Sequence, residues 1–319
     1  MVAVLSAIVS THAHAAERDV APYPSRPVRI VVPQSPGGTT DLTARLLAPR
    51  LAERFNQSVV VDNRPGAGSL VGTDLVAKAA PDGYTLLVVA SSLAIMPSMY
   101  RSLPFDPVKD FAPITTLSLY PNLLLIHPSV PAGNVKELIA LAKSKPGSLN
   151  YASGGTGTGT QLGAELFKTM AGIDMVHVPY KGGGPAMNAL MGGQVQVYFA
   201  AMPSALALVR AGKLKAIAVT SGKRSTALPD LPTVAESGLP GYDEQTWNGL
   251  LAPARTPRPI VEKLKTEAHA VLKLGASRER FLAEGAEALG TEPDEFAAMI
   301  RREVVKWAKV IKQAGITAE

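Results

Sequence analysis

Three short stretches of this chain concentrate backbone N–H groups with little side chain to cover them. They are "PQSPGGTTD" (Pro33 to Asp41), "SGGTGTGT" (Ser153 to Thr160) and "PYKGGGPA" (Pro179 to Ala186). Each follows a short apolar or β-branched run and precedes a segment with helical spacing, so each reads as a strand-to-helix loop. The first amides of a helix have no partner within it and carry the positive end of its dipole. Together they hold anions without an arginine. Glycine lets the backbone approach a ligand closely, and serine and threonine add hydroxyls. One such loop is better explained by the turn it makes. Three of them, drawn from both halves of the chain, point to a binding cleft.

Other chemistries find little support. The 319 residues include no cysteine, which excludes disulfides, thiolate metal sites and a cysteine nucleophile. The Gly-Lys-Ser/Thr of a P-loop does not occur, and "GAGSLVG" (Gly66 to Gly72) has the spacing GxGxxxG, behind "NRP" instead of directly after its strand. Neither HExxH nor GxSxG is present. His127 and His177 fall in strand-like runs and read as packed or capped, and Asp41 stands in a first helical turn, where an acid meets the dipole. No nucleophile–base pair is evident, so no catalytic residue, metal site or cofactor is assigned. A carboxylate remains, and neutral loops suffice for it. A hydrogen bond to a charged group contributes about 1.5–3 kcal/mol. Four or five of these, less the cost of association, reach the roughly −8 kcal/mol of micromolar binding.

The elements that must carry these loops alternate between strand-like and helix-like runs, the pattern of a parallel α/β sheet. "VRIVVP", "SVVVDN" and "YTLLVVA" read as buried strands, with helices from about Thr39 and from about Ala67 to Ala79; Pro49 is expected to kink the first. After "NLLLIHP" a second series begins, with strands in "LNYAS", "MVHVPY", "VQVYFA" and "KAIAVTS". Its helices are expected to close at Gly172, Gly192 and Gly212, and Pro185 to open one of them. "TWNGLLAP" is a late strand. A helix follows in which Phe296, Ile300, Val304, Trp307 and Ile311 form a core-facing stripe. Two α/β blocks whose chain crosses near Asn122 and again near Trp247 place a cleft between them, where the glycine loops fall.

The N-terminus is a short apolar run ending in Ala13-His14-Ala15, the core and cleavage pattern of a secretory signal peptide over 1–15, although no Lys or Arg precedes it. The net charge of +6 is mild, and only 5% of residues are aromatic, which excludes a nucleic-acid groove with stacking platforms.

The linked motifs resemble the Bug-type extracytoplasmic receptors of tripartite tricarboxylate transporters. The likeness runs through "RIVVPQSPGGTTD", "DNRPGAGSLVGTDL", "NYASGGTGTGTQLG", "VPYKGGGPAMNALMGGQVQVYFA" and "LPTVAESGLPGYDEQTWNGLLAPARTP", nearly the whole chain after the signal. The resemblance implies an α/β, two-lobed periplasmic-binding-protein fold of type II-like form, joined by crossover strands around a ligand cleft. The expected lobes are 24–122 with 247–319, and 123–246. It implies a periplasmic receptor, monomeric and not an enzyme, that binds a small di-, tri- or aromatic carboxylate and delivers it to membrane permease subunits. Presentation to a signalling protein, or an enzyme acting on a carboxylate, are the alternatives.

Carried over by the resemblance, the ligand-binding residues are Pro36, Gly37, Gly38, Thr39 and Asp41 in the first lobe. In the second they are Ser153, Gly154, Gly155, Thr156, Gly157 and Thr158, gripping largely through backbone groups. Ser91, Ser92, Gly182, Gly183 and Gly184, and Met202, Pro203 and Ser204, complete the expected set. Where many relatives carry aspartates, this chain has Gln196 and Ala200, which disfavours an amino-acid ligand.

Overall fold

The computed structural model describes residues 23–316; the expected signal peptide lies outside them. The chain opens with β1 (Val28–Val32), α1 (Thr39–Phe55), β2 (Val59–Asn63), α2 (Leu70–Ala77), β3 (Thr85–Ala90), α3 (Ser92–Met99) and the long β4 (Phe111–Ile126). A second series follows: α4 (Val135–Ser144), β5 (Asn150–Ser153), α5 (Gly159–Ala171), β6 (Val176–Pro179), α6 (Gly183–Met191), β7 (Val197–Ala201), α7 (Met202–Arg210) and β8 (Lys215–Val219). The chain then returns through β9 (Gln245–Pro253) to α8 (Arg258–Lys273), α9 (Gly275–Ala283), β10 (Glu287–Ala288) and α10 (Pro293–Gln313).

The strands form one path, β2-β1-β3-β9-β4-β7-β5-β6, with β8 and β10 also paired to β4. β4 joins the halves. From Phe111 to Pro121 it runs antiparallel to β9, and from Asn122 to Ile126 it lies between β7 and β8. Each half repeats one order. β1 sits between β2 and β3, all parallel, with β9 antiparallel beyond β3; β5 sits between β6 and β7, all parallel, with β4 antiparallel beyond β7.

The central strands are buried on both faces, as helix-covered parallel sheets require. Alternation divides β1 and β3 between two cores. Val28, Ile30, Val32, Leu86 and Val88 pack under α1 and α8, whereas Val31, Leu87 and Val89 face α3 and α10. The second half divides likewise, with Leu124, Ile126 and Phe199 in one cluster and Leu123, Leu125 and Tyr198 in another. The core under α10 spans both halves, because Leu162 of α5 joins Trp247, Phe296 and Trp307 in it.

Several local expectations are corrected. α1 continues through Pro49, and α2 begins only after a 3-10 turn at Ala67–Ser69. Gly172 and Gly212 are left-handed, but Gly192 is not; Gly193, with φ 71°, makes that turn. Pro185 is the third residue of α6, which opens at Gly183.

Candidate functional site

The two halves meet at a cross-strand pair, Tyr120 of β4 opposite Thr246 of β9. The hydroxyls of Thr39, the first residue of α1, and Tyr120 lie 2.9 Å apart. From the other half, Gly159 opens α5 so close to Thr246 that an added Cβ would lie 3.3 Å from its Oγ1. Two helix N-termini, one from each half, therefore converge on one pair of crossover residues. Among the described residues, the backbone amides of Thr39 and Thr40 and of Gly159 and Thr160 have no protein acceptor. Burial raises the Tyr120 phenol to about 12, so it stays a neutral hydrogen-bonding group here.

Asp41 is absorbed by the loop it follows. Its carboxylate accepts from the Gly37 amide at 2.8 Å, from Asn63 Nδ2 at 2.9 Å and from Arg45 Nε at 2.9 Å. Burial pushes its pKa up, but these donors more than offset that and hold it below the usual carboxylate range. Asp41 shapes the turn before α1, and its acceptor capacity is engaged there.

The glycine loop of the second half is likewise cross-braced. Gly154 N–H donates to Thr160 Oγ1, Gly155 N–H to Ser153 Oγ, Gly157 N–H to Gln161 Oε1 and Thr158 N–H to the Gly155 carbonyl. The amide of Thr156, at the exposed apex, carries no such bond. Most of the glycine amides expected to meet a ligand thus already have protein partners. Among the described residues, the donors left over include the amides of Gly38, Thr156, Gly183 and Gly184 and the first turns of α1 and α5.

His177 braces this loop from below. Its Nε2 is 2.6 Å from Ser153 Oγ, its Nδ1 is 3.3 Å from Gln161 Nε2, and its ring stacks on Tyr151 at 4.9 Å. Tyr151 in turn hydrogen-bonds Glu165, which pairs with Lys168. Ser153 and His177 are a hydroxyl–imidazole pair that the sequence did not reveal. Ser153 is fully buried and its Oγ also contacts the Gly155 backbone, so the pair is a structural strut. Burial depresses the His177 pKa, which keeps the ring neutral.

Beside these termini lies a cavity of about 330 Å³. Gln34 and Ser35, the turn Pro65–Ser69 and one side of α3 form its wall in the first half; Thr156, Gly157 and Thr158 close it from the second. The halves touch here, since a Cβ at Gly157 would lie 3.1 Å from Met99 Cε.

Of the expected ligand residues, Ser92, Thr156, Gly157 and Thr158 line this cavity. Pro36, Gly37 and Gly38 are exposed ahead of α1, and added Cβ atoms at Gly37, Gly182 and Gly184 would meet only open space. Gly183 packs beneath Tyr198, and Gly154 against the Gly182–Gly183 backbone. Ser91 donates its amide to the Trp247 carbonyl. Met202 is buried away from the cavity against Gly285, with Pro203 and Ser204 following it in α7.

Sequence reasoning missed Gln34, Ser35, the Pro65–Ser69 turn and the cavity face of α3. Pro97 reads as a helix breaker and hid α3. "GAGS" carries a conformational signal that the motif comparisons do not read, with Ala67 and Ser69 held at φ 43° and 84°.

Two α/β halves of one strand order, joined by crossover strands with a cleft between them, define the class of two-lobed solute-binding proteins. Residues 43–316 match the family model described as "Tripartite tricarboxylate transporter family receptor", and the chain belongs to that family. It is 37% identical over 317 residues to the protein BugT of Bordetella pertussis, covering 99% of this chain and 97% of that one. Among solved structures it resembles an R. palustris protein with adipate (38% identity, TM-score 0.84, covering 93% of this chain and all, 100%, of that one). It also resembles MatC from Rhodopseudomonas palustris with bound malate (34% identity, TM-score 0.80, covering 91% and 100%). The family is one of receptors and not of enzymes. No helix among the described residues is long and apolar enough to cross a membrane.

Proposed function

We propose that this protein is a periplasmic receptor that captures a small organic carboxylate between its lobes and delivers it to the membrane permease subunits of a tripartite transporter. One observation carries the reading. Unpaired first-turn amides of α1 and α5, from opposite lobes, converge on Tyr120 and Thr246 beside a cavity. A carboxylate lodged there accepts from both helix ends and gains from both dipoles. Adipate and malate in the similar structures support that ligand class.

The mobile units in this reading are 24–122 with 247–319, and 123–246. A guest that touches both favours the closed arrangement, because only there does it reach both sets of donors. A thermal-shift and calorimetric screen of mono-, di-, tri- and aromatic carboxylates, with nucleotides and sugars as controls, tests the assignment. At least one carboxylate is expected to raise the melting temperature and bind with Kd near micromolar. Stabilisation by nucleotides or sugars alone would overturn it.

A further inference from the structure

We infer that the cleft is built for a ligand with a single carboxylate and an apolar body, in preference to di- and tricarboxylates; this rests on the carboxylate reading above. The cavity is chemically lopsided. Its polar lining includes Gln34 and Ser35 of the turn before α1 and Thr158, the residue that precedes α5. Its apolar lining comes mainly from α3, which contributes Ile95, Met96 and Met99, each almost wholly buried, with further apolar surface from Pro33 and Pro65.

None of the lining side chains is charged. Among the cations of neighbouring segments, Arg45 pairs with Asp41 and Arg64 with Asp62, while Arg101 and Lys181 are exposed and do not line the cavity. Ser92 lies in the α3 wall, but its hydroxyl is buried without a partner and does not open onto the space. Tyr100 OH donates to the Ala67 carbonyl at 2.8 Å and ties the Pro65–Ser69 turn to the end of α3. A second carboxylate against Ile95, Met96 and Met99 would exchange water for apolar side chains that offer it no donor, which is heavily penalised.

An apolar tail loses nothing there and gains from burial. The volume, about 330 Å³, is roughly twice that of the ~150 Å³ cavity known to enclose benzene. A ring or a five-carbon tail has room. Two methionines supply flexible, polarizable walls that shape themselves to it. Met99 also abuts Gly157 across the cleft, so a tail against Met99 lies where the two lobes meet.

The test is calorimetric titration of the purified protein with straight-chain acids from acetate to hexanoate, with benzoate, and with adipate, malate and citrate. Affinity should rise about three- to four-fold per added methylene. Hexanoate or benzoate should bind at least tenfold tighter than adipate. Met99→Gln, which keeps the side-chain length, should flatten the gain per methylene. Tighter binding of adipate, malate or citrate would overturn this inference and leave the carboxylate reading standing. Failure of every acid would overturn both. An unchanged slope in a Met99→Gln protein that melts like the parent would remove the α3 wall as the selector.

Discussion

Glu244 is a carboxyl group shut away from water at the crossover. It is 1% exposed, accepts from Asn122 Nδ2 at 2.8 Å, and abuts Gly163 of α5. Burial raises its pKa to about 7 against the partial relief given by Lys306 and by the Thr220 and Asn122 hydrogen bonds. Asn122 Oδ1 is itself buried without a partner. A raised carboxyl pKa means that the folded form holds its proton more tightly than the unfolded chain does. Folding stability should therefore be greatest below the unfolded value near 4.5 and fall as pH rises to about 7. The full effect is on the order of 3 kcal/mol. Glu244→Gln should abolish most of that slope and raise Tm at pH 8 more than at pH 5, as read by calorimetry. Gly155 belongs to the same scale. It holds φ 131° with its amide on Ser153. Gly155→Val should cost about 1–3 kcal/mol of local strain and weaken carboxylate binding about tenfold or more. Unchanged affinity in a folded variant would reduce that loop to a turn.

Helices present the donors, and the loops ahead of them decide which donors remain free. Asp41 reaches back from α1 to the Gly37 amide, and Gln161 reaches back from α5 to the Gly157 amide, each across four residues. The two lobes thus solve one problem alike, with a first-turn polar side chain folding the preceding turn onto its own helix. Gln161→Ala should free the Gly157 amide and release His177, leaving a buried donor or acceptor unpaired at about 1–3 kcal/mol. Hydrogen exchange is expected to quicken at residues 154–158 and the carboxylate Kd to rise. Exchange unaltered there would show that backbone packing alone sets the loop.

At the scale of the molecule, β4 and β9 carry the chain between the two halves among the described residues, and in the proposed reading a guest between the lobes acts through them. Trp247 of β9 is 1% exposed, meets Phe296 of α10 edge-on at 5.2 Å, and shares its cluster with Leu162 of α5. In the proposed reading, lobe closure moves α5 relative to α10 and so changes the surroundings of this indole. In a Trp307→Phe background, which leaves Trp247 as the single tryptophan, saturating carboxylate should shift the emission maximum or intensity. A silent spectrum alongside calorimetric binding would place the hinge motion elsewhere.

The alternation of apolar runs with helical segments is enough to read an α/β fold, and the glycine loops at the junctions point to the anion site proposed between its two blocks. Those signals are local, since strand and helix periods and turn residues act over a few neighbours. The α10 stripe is legible for that reason: Phe296, Ile300, Trp307 and Ile311 are buried, and Val304 is half-buried against the same cluster. Which amides stay available was not legible, because it depends on side chains folding back onto turns, as Asp41, Ser153, Thr160 and Gln161 do. Nor was the apolar wall of α3 against Thr156–Thr158, which exists only because β4 and β9 bring distant segments of the chain together. Sequence alone set the kind of guest the cleft attracts; tertiary packing, which acts across large separations along the chain, decided the surface that guest meets.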